Sequence, residues 1–146
     1  MPKSSRILVL LFLCSALLAQ ERKIFWDGND WLAIDKISAQ NPELNFWIKS
    51  AYLSGLFDGK LFYKIKAFQI SPTLSDSVFN DLVTPAPSKR LIAGIDMLYR
   101  DPANRYLPLP NALIATLMFQ EEFSPAEIQN YINNSKKWIN TLQFGE

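Results

Sequence analysis

Residues 41–68 read NPELNFWIKSAYLSGLFDGKLFYKIKAF, and this stretch decides the fold. Its large apolar residues recur at intervals of three and four, the period of a helix with a wide apolar face. Asn41 is followed by Pro42, and a proline in the first helical turn costs no hydrogen bond. The stretch predicts a long central helix that begins at Pro42, ends near Phe68 and is packed by several other helices.

Shorter segments on either side have the same helical spacing. We expect a first helix over residues 30–38, with Asn29 as its N-cap and three apolar residues on one face: Trp31, Ile34 and Ile37. Residues 71–88 contain three prolines and are expected to form a mobile loop with one helical turn over 76–82. Further helices are predicted over residues 89–100, ended by Pro102, and over 109–122.

The last helix has the clearest start. Ser124, Pro125 and Glu127 combine an N-cap, a proline at the first helical position and the acid of a capping box. The predicted fold class is therefore all-α, a single-domain bundle of five or six helices with a long central helix.

The first nineteen residues have the order of a secretory signal. Lys3 and Arg6 precede an apolar run over 7–19, which as a helix would span about 20 Å, less than the ~30 Å core of a bilayer. We expect cleavage near Ala19, a mature domain over residues 20–146, and a periplasmic or secreted protein with no membrane attachment. The bulky Leu13 argues against lipidation at Cys14.

Composition excludes several kinds of chemistry. The chain has no histidine and one cysteine, Cys14, so a mature domain without the leader has no Ser-His-Asp triad, no cysteine nucleophile and none of the commoner zinc sites. We expect neither a metal nor a cofactor. The leader holds two of the 15 basic residues, which leaves a near balance with the 14 acidic ones. Nucleic acid is not an expected partner.

Two glycines interrupt the predicted central helix. Gly55 and Gly59 each cost about 1 kcal/mol of helix propensity relative to alanine, and with Ala51 they form a strip of small residues. We interpret the strip as a close-packing contact, with a groove for a partner or ligand as the alternative. Asp58 projects near the same apolar face, where a carboxylate needs a cation or several hydrogen-bond donors.

Residues 99–108, YRDPANRYLP, form a polar connector between two predicted helices. We expect Arg105 to turn inward to Asp58, while Asp101 and Asn104 hydrogen-bond to local backbone amides. Tyr106, Arg100 and Trp26 are the candidate binding residues, since Tyr106 and Trp26 lie off the apolar stripes. The other tryptophans are expected in the core.

These motifs carry a resemblance. The sequence YLSGLFDG at 52–59, with LYRDPANR at 98–105 and LPL at 107–109, resembles small exported bacterial helical proteins of no assigned function. More distantly, the aromatic-x-x-Gly-x-x-Asp pattern with a later Asp-Pro connector is similar to the periplasmic immunity proteins that neutralise cell-wall amidase effectors of type VI secretion. That similarity implies an all-α binder that plugs an enzyme's cleft.

The sequence thus favours an exported, non-enzymatic domain that binds another envelope or secreted protein. An immunity-like inhibitor of a cell-wall-degrading effector is the most concrete version. One alternative is a carrier that holds a small ligand in an apolar groove around Gly55 and Gly59. The other is a two-carboxylate hydrolase of cell-wall glycan, for which Asp58 and Asp101 would be the acids.

Overall fold

The computed structural model describes residues 25–79 and 88–144, which form six α-helices, one 3-10 turn and no strand. The all-α prediction is confirmed, and so is the long central helix, α2. The predicted leader over residues 1–19 lies outside the described residues. The elements in chain order are α1 (Gly28–Ile37), α2 (Pro42–Ile70), α3 (Pro72–Phe79), α4 (Lys89–Arg100), the 3-10 turn (Pro102–Asn104), α5 (Leu109–Gln120) and α6 (Pro125–Phe144).

Helix α1 begins two residues earlier than predicted. Asp27, not Asn29, is the N-cap, and it forms a reciprocal capping box with Asp30, whose side chain accepts from the Asp27 amide at 3.0 Å. Asp27 prevails because its carboxylate accepts from the Asn29 and Asp30 amides while the Asp30 carboxylate accepts from the Asp27 amide, so each acid caps the other's backbone. Trp31 and Ile34 are buried as predicted, whereas Ile37 at the end of the helix is exposed.

Helix α2 starts as predicted. The Asn41 side chain accepts a hydrogen bond from the Leu44 amide at 3.0 Å, and Pro42 occupies the first turn. The helix ends at Ile70, two residues later than expected. Its wide apolar face is only partly covered, since Leu53 is fully buried but Trp47 is exposed. The expectation that Trp47 lies in the core is wrong, because Trp47 is on the side of α2 that faces away from the buried Lys49 and Leu53.

Helix α3 replaces the expected loop over residues 71–79. It folds back along the second half of α2, and the buried Ser75 hydroxyl donates to the Lys64 carbonyl at 3.1 Å. A side chain as small as serine lets the two helix backbones approach closely. The predicted turn over 76–82 is therefore placed too late, and residues 80–87 lie outside the described part of the chain.

The remaining helices follow their start signals. Ser88 caps α4 by accepting from the Leu91 amide at 3.2 Å. Helix α5 ends two residues before its predicted end, where Glu122 adopts a left-handed φ of 62°. Ser124 and Glu127 form the predicted capping box on α6, with the Ser124 amide 2.9 Å from the Glu127 carboxylate. The Ser124 hydrogen bonds hold the pKa of Glu127 below its ordinary value.

The core lies between α1, α2, α4, α5 and α6. Its fully buried side chains include Trp31, Leu53, Ile95 and Tyr99. Trp138 of α6 stays half exposed, contrary to the expectation that it is a core residue. Because α4 and α5 both pack in this core, the short segment between them is held at one end of the bundle.

Candidate functional site

The connector, which we define as residues 101–108 between α4 and α5, is tied to the start of α1 by backbone hydrogen bonds. The Gly28 amide donates to the Arg105 carbonyl at 2.8 Å, and the Leu109 amide donates to the Trp26 carbonyl at 2.7 Å. Between these two bonds, Asp27 and Pro108 form an isolated antiparallel bridge. The chain is therefore fixed on both sides of Tyr106.

Buried side chains support the connector from below. The Tyr99 hydroxyl donates to the Leu107 carbonyl at 2.9 Å, and both side chains are fully buried. Burial raises the pKa of Tyr99 far above its ordinary value, so the phenol stays neutral. Gly28 is required beside it, because an added Cβ would lie 2.5 Å from the Tyr99 ring.

The predictions for the polar connector residues are confirmed in part. The Asp101 carboxylate accepts from the Ala103 amide at 2.9 Å and caps the 3-10 turn, as expected. Asn104 is buried, and its side chain does not accept from a local backbone amide as predicted. Its amide group donates to the Leu98 carbonyl at 3.3 Å and accepts from the Lys136 ammonium at 2.9 Å, which joins the connector to α6.

The three side chains singled out for binding all face outward, and Arg105, which was predicted to turn inward, faces outward with them. Tyr106 is 77% exposed, and both Arg100 and Arg105 are exposed. Trp26 is 39% exposed and stacks on Tyr52 with ring centroids 4.5 Å apart. We call Trp26, Arg100, Arg105 and Tyr106 the connector surface. It offers two aromatic rings and two guanidinium groups on a backbone that is already ordered.

The predicted pair between Asp58 and Arg105 is wrong. Both side chains are exposed, and the ion pairs among the described residues do not include one between them. The reason is geometric. Asp58 lies on the solvent side of α2, and it is the main-chain carbonyl of Arg105, not its guanidinium, that turns inward to meet Gly28.

The close-packing role predicted for Gly55 and Gly59 is also wrong. An added Cβ at either glycine meets no atom within 4 Å. The strip of small residues thus faces open space in the described structure. Close approach between helices occurs at Gly94 instead, where an added Cβ would lie 2.5 Å from the Thr116 methyl group.

The buried charge that the sequence analysis assigned to Asp58 belongs to Lys49. Its side chain is 1% exposed, and its ammonium lies 2.6 Å from the Asp35 carboxylate and 2.8 Å from that of Asp96. The Trp31 indole donates to Asp96 at 2.6 Å, and the ammonium lies 5.0 Å from the Trp31 ring centroid. Sequence reasoning missed this cluster, although Lys49 precedes the buried Leu53 by four residues and so shares its face.

The Lys49 ammonium is enclosed by groups of the protein itself. Two carboxylates and an aromatic ring surround the ammonium, and Asn45 donates a further hydrogen bond to Asp35 at 2.7 Å. An acid or base needs a proton site within reach of a substrate, whereas these groups already satisfy one another. We interpret the cluster as a link between α1, α2 and α4.

An apolar pocket of about 320 Å³ lies between α4, α5 and α6. Gly94 and Thr116 form part of its wall, and the Thr116 hydroxyl has no hydrogen-bond partner among the described residues. Neither Asp58 nor Asp101 lines this pocket. The side chains that surround it are Arg90, Ala93, Met97, Leu98, Ala115, Thr116, Phe119, Gln120 and Ile128.

Within residues 25–79 and 88–144, no cluster of acidic, histidine or cysteine side chains could hold a metal ion. Within the same ranges, no helix combines the length and apolar character needed to span a bilayer.

Comparison of the chain with protein-family models, curated proteins and solved structures found no match.

Proposed function

We propose that the chain is an exported, non-enzymatic protein-binding domain that presents the connector surface to another envelope or secreted protein. The single observation behind this proposal is the exposure of Tyr106 on an ordered backbone. Its side chain is 77% exposed, and hydrogen bonds to Gly28 and Trp26, at the start of α1, fix the backbone on both sides of it. A large exposed aromatic ring on an ordered loop gains burial on binding without the cost of ordering the loop.

The residue types of the connector surface support this proposal. Tyrosine, tryptophan and arginine contribute most of the binding energy in protein interfaces. Tyr106 and Trp26 supply apolar area, while Arg100 and Arg105 can each donate two parallel hydrogen bonds to a carboxylate. A partner with an acidic rim around an apolar cleft fits this chemistry.

The most specific version of the proposal is an immunity-like inhibitor of a cell-wall-degrading effector. Residues 101–103, 105 and 106 of the ordered connector are exposed, so their side chains are available to contact the cleft of an enzyme. The motifs at 52–59 and 98–105 add the similarity to type VI immunity proteins described above.

The experiment is capture of partners from the envelope of the producing cells. The chain, expressed from its own start with a C-terminal tag, is purified alongside a Tyr106→Ala variant, and proteins recovered in stoichiometric amount are identified by mass spectrometry. We expect a secreted or envelope enzyme with the parent chain and its loss with the variant. Equal recovery of the enzyme with the parent chain and with the variant would show that the connector surface does not bind it.

The pocket favours a second candidate, a small-ligand carrier. Its volume of about 320 Å³ is at the lower end of the range for ligand pockets, about 300–1,000 Å³. Apolar walls beside Arg90 suit an amphipathic anion such as a fatty acid. A fluorescent fatty acid should bind the parent chain and not an Ala93→Trp variant, whose indole would fill the pocket; no binding by the parent chain would reject the carrier.

A further inference from the structure

Helix α2 has a row of solvent-facing side chains at alternating spacings of three and four residues. Seven of the eight are exposed and Ser54 is half-buried. We call this row the α2 seam, and it consists of Leu44, Trp47, Ala51, Ser54, Asp58, Leu61, Ile65 and Phe68. A seven-residue repeat sustained over three heptads is the pattern of a helix that packs lengthwise against another helix.

The seam does not serve the fold of the monomer. Leu61, Ile65 and Phe68 are all more than half exposed, although they lie on the same helix as the fully buried Leu53. The core uses a different side of α2, the one that carries Lys49 and Leu53. A monomer therefore leaves the large apolar side chains at both ends of the seam in water, and exposed apolar patches of this kind mark interaction surfaces.

We propose that the α2 seam pairs with the same seam of a second copy of the chain, antiparallel, about a twofold axis at the level of Leu56. Turned end for end, the seam is complementary to itself. Each large side chain then meets an apolar one, and the polar pair meets at the centre. The facing pairs are Leu44 with Phe68, Trp47 with Ile65, Ala51 with Leu61, and Ser54 with Asp58.

The central pair selects the antiparallel arrangement. Asp58 is the only charged residue of the seam, and in the antiparallel pairing it faces Ser54, whose hydroxyl can donate to the carboxylate. In a parallel pairing Asp58 would face Asp58 of the other copy, and two like charges would be brought together. Polar seam residues commonly set the orientation and register of paired helices in this way.

The size of the contact predicts its strength. The seam from Leu44 to Phe68 spans about 36 Å, and two helices 10–12 Å wide in contact over that length are near the lower limit of specific interfaces, about 1,000 Å² in total. We therefore expect a reversible dimer with a dissociation constant on the order of 1–100 µM. This dimer leaves the connector surface out of the contact, so its test is independent of the proposed partner.

Sedimentation of the purified full chain tests the proposal over a concentration range of about 1–200 µM. The variant is Ile65→Glu and the matched control is Tyr63→Glu, which adds the same charge two residues away on a different face. Ile65 is 51% and Tyr63 64% exposed, so both variants should fold, as circular dichroism checks. We expect at least about tenfold weaker association for Ile65→Glu and no change for Tyr63→Glu.

Orientation is tested with spin labels in a Cys14→Ser background. Labels on cysteine at Glu43 should lie about 40 Å apart in the antiparallel dimer, whereas labels at Gly55, close to the twofold axis, should lie within about 20 Å. Short distances at both positions would indicate a parallel pair and overturn the proposal. A parent chain that stays monomeric over the concentration range of the sedimentation experiment, or an Ile65→Glu variant that associates as strongly as the parent chain, would also overturn it.

Discussion

The Lys49 ammonium lies 2.8 Å from the Asp96 carboxylate, and the lysine side chain is 1% exposed. This contact joins the central helix to α4, and Trp31 of α1 donates to the same carboxylate oxygen at 2.6 Å. Three helices thus meet at one oxygen atom of Asp96, and the ammonium also contacts a second carboxylate, that of Asp35, at 2.6 Å.

Removing Asp96 should destabilise the fold strongly. Asp96→Ala leaves the buried Lys49 with one carboxylate and leaves the Trp31 indole without its acceptor, which we expect to cost about 2–4 kcal/mol. Urea unfolding followed by tryptophan fluorescence measures the change. The control is Lys49→Met in the Asp96→Ala background, which removes the buried charge and should cost nothing further; strict additivity of the two changes would contradict this interpretation.

Glycine substitutions should have opposite effects at two positions. Gly28→Ala places a methyl group 2.5 Å from the Tyr99 ring, and we expect a loss of about 1–3 kcal/mol of unfolding free energy. Gly55→Ala meets no atom within 4 Å and should increase stability by up to about 1 kcal/mol through helix propensity. Thermal unfolding at low protein concentration distinguishes them, and destabilisation by both would show that Gly55 is packed.

Stability should fall at high pH because of Tyr99. Burial raises its pKa in the folded state, so its contribution is complete below pH 10, the ordinary pKa, and is lost as the pH rises beyond that value. The slope from one such group is at most about 1.4 kcal/mol per pH unit. Tyr99→Phe should cost about 1 kcal/mol at neutral pH, because the bond to Leu107 is lost, and should flatten the alkaline decline.

Tyr52 and Tyr131 also contribute to the loss of stability at high pH. Burial also raises the pKa of each of these phenols, so some alkaline slope should remain in the Tyr99→Phe variant. An unchanged slope would mean that Tyr99 does not stay neutral in the folded protein.

Asn104 should control the order of the connector. Asn104→Ala removes the hydrogen bonds to Leu98 and Lys136, which we expect to cost about 1–3 kcal/mol and to accelerate hydrogen exchange at the Leu107 amide. Lys136→Met removes only the bond between α6 and Asn104, so its effect on exchange should be smaller. Equal exchange in the parent chain and Asn104→Ala would show that the Asn104 side chain does not hold the connector and would contradict this prediction.

Local signals in the sequence predicted most of the fold. The caps at Asn41 and Ser124 need only a side chain within three residues of the amide it binds, so the starts of α2 and α6 could be assigned from neighbouring residues. The exception is Asp27, because Asn29 is an equally plausible cap until the capping box with Asp30 is considered.

Contacts between distant residues could not be predicted in the same way. Helix α2 is apolar on nearly every side, so its sequence did not indicate that Lys49 points into the core while Asp58 points to solvent. The connector was recognised from its prolines and polar residues, but the bond between Gly28 and Arg105 depends on how α1 docks on α4. Tyr106 and Trp26 were identified correctly as surface residues because they lie off the apolar stripes.

The most direct measurement is the amount of envelope protein captured by Tyr106→Ala relative to Tyr63→Ala, both normalised to the parent chain. The two variants remove the same group from exposed positions, and Tyr63 lies on α2, outside the connector. If the connector surface binds the partner, recovery should fall at least about tenfold for Tyr106→Ala and stay at the parent level for Tyr63→Ala. Equal recovery by the two variants would contradict the proposed function.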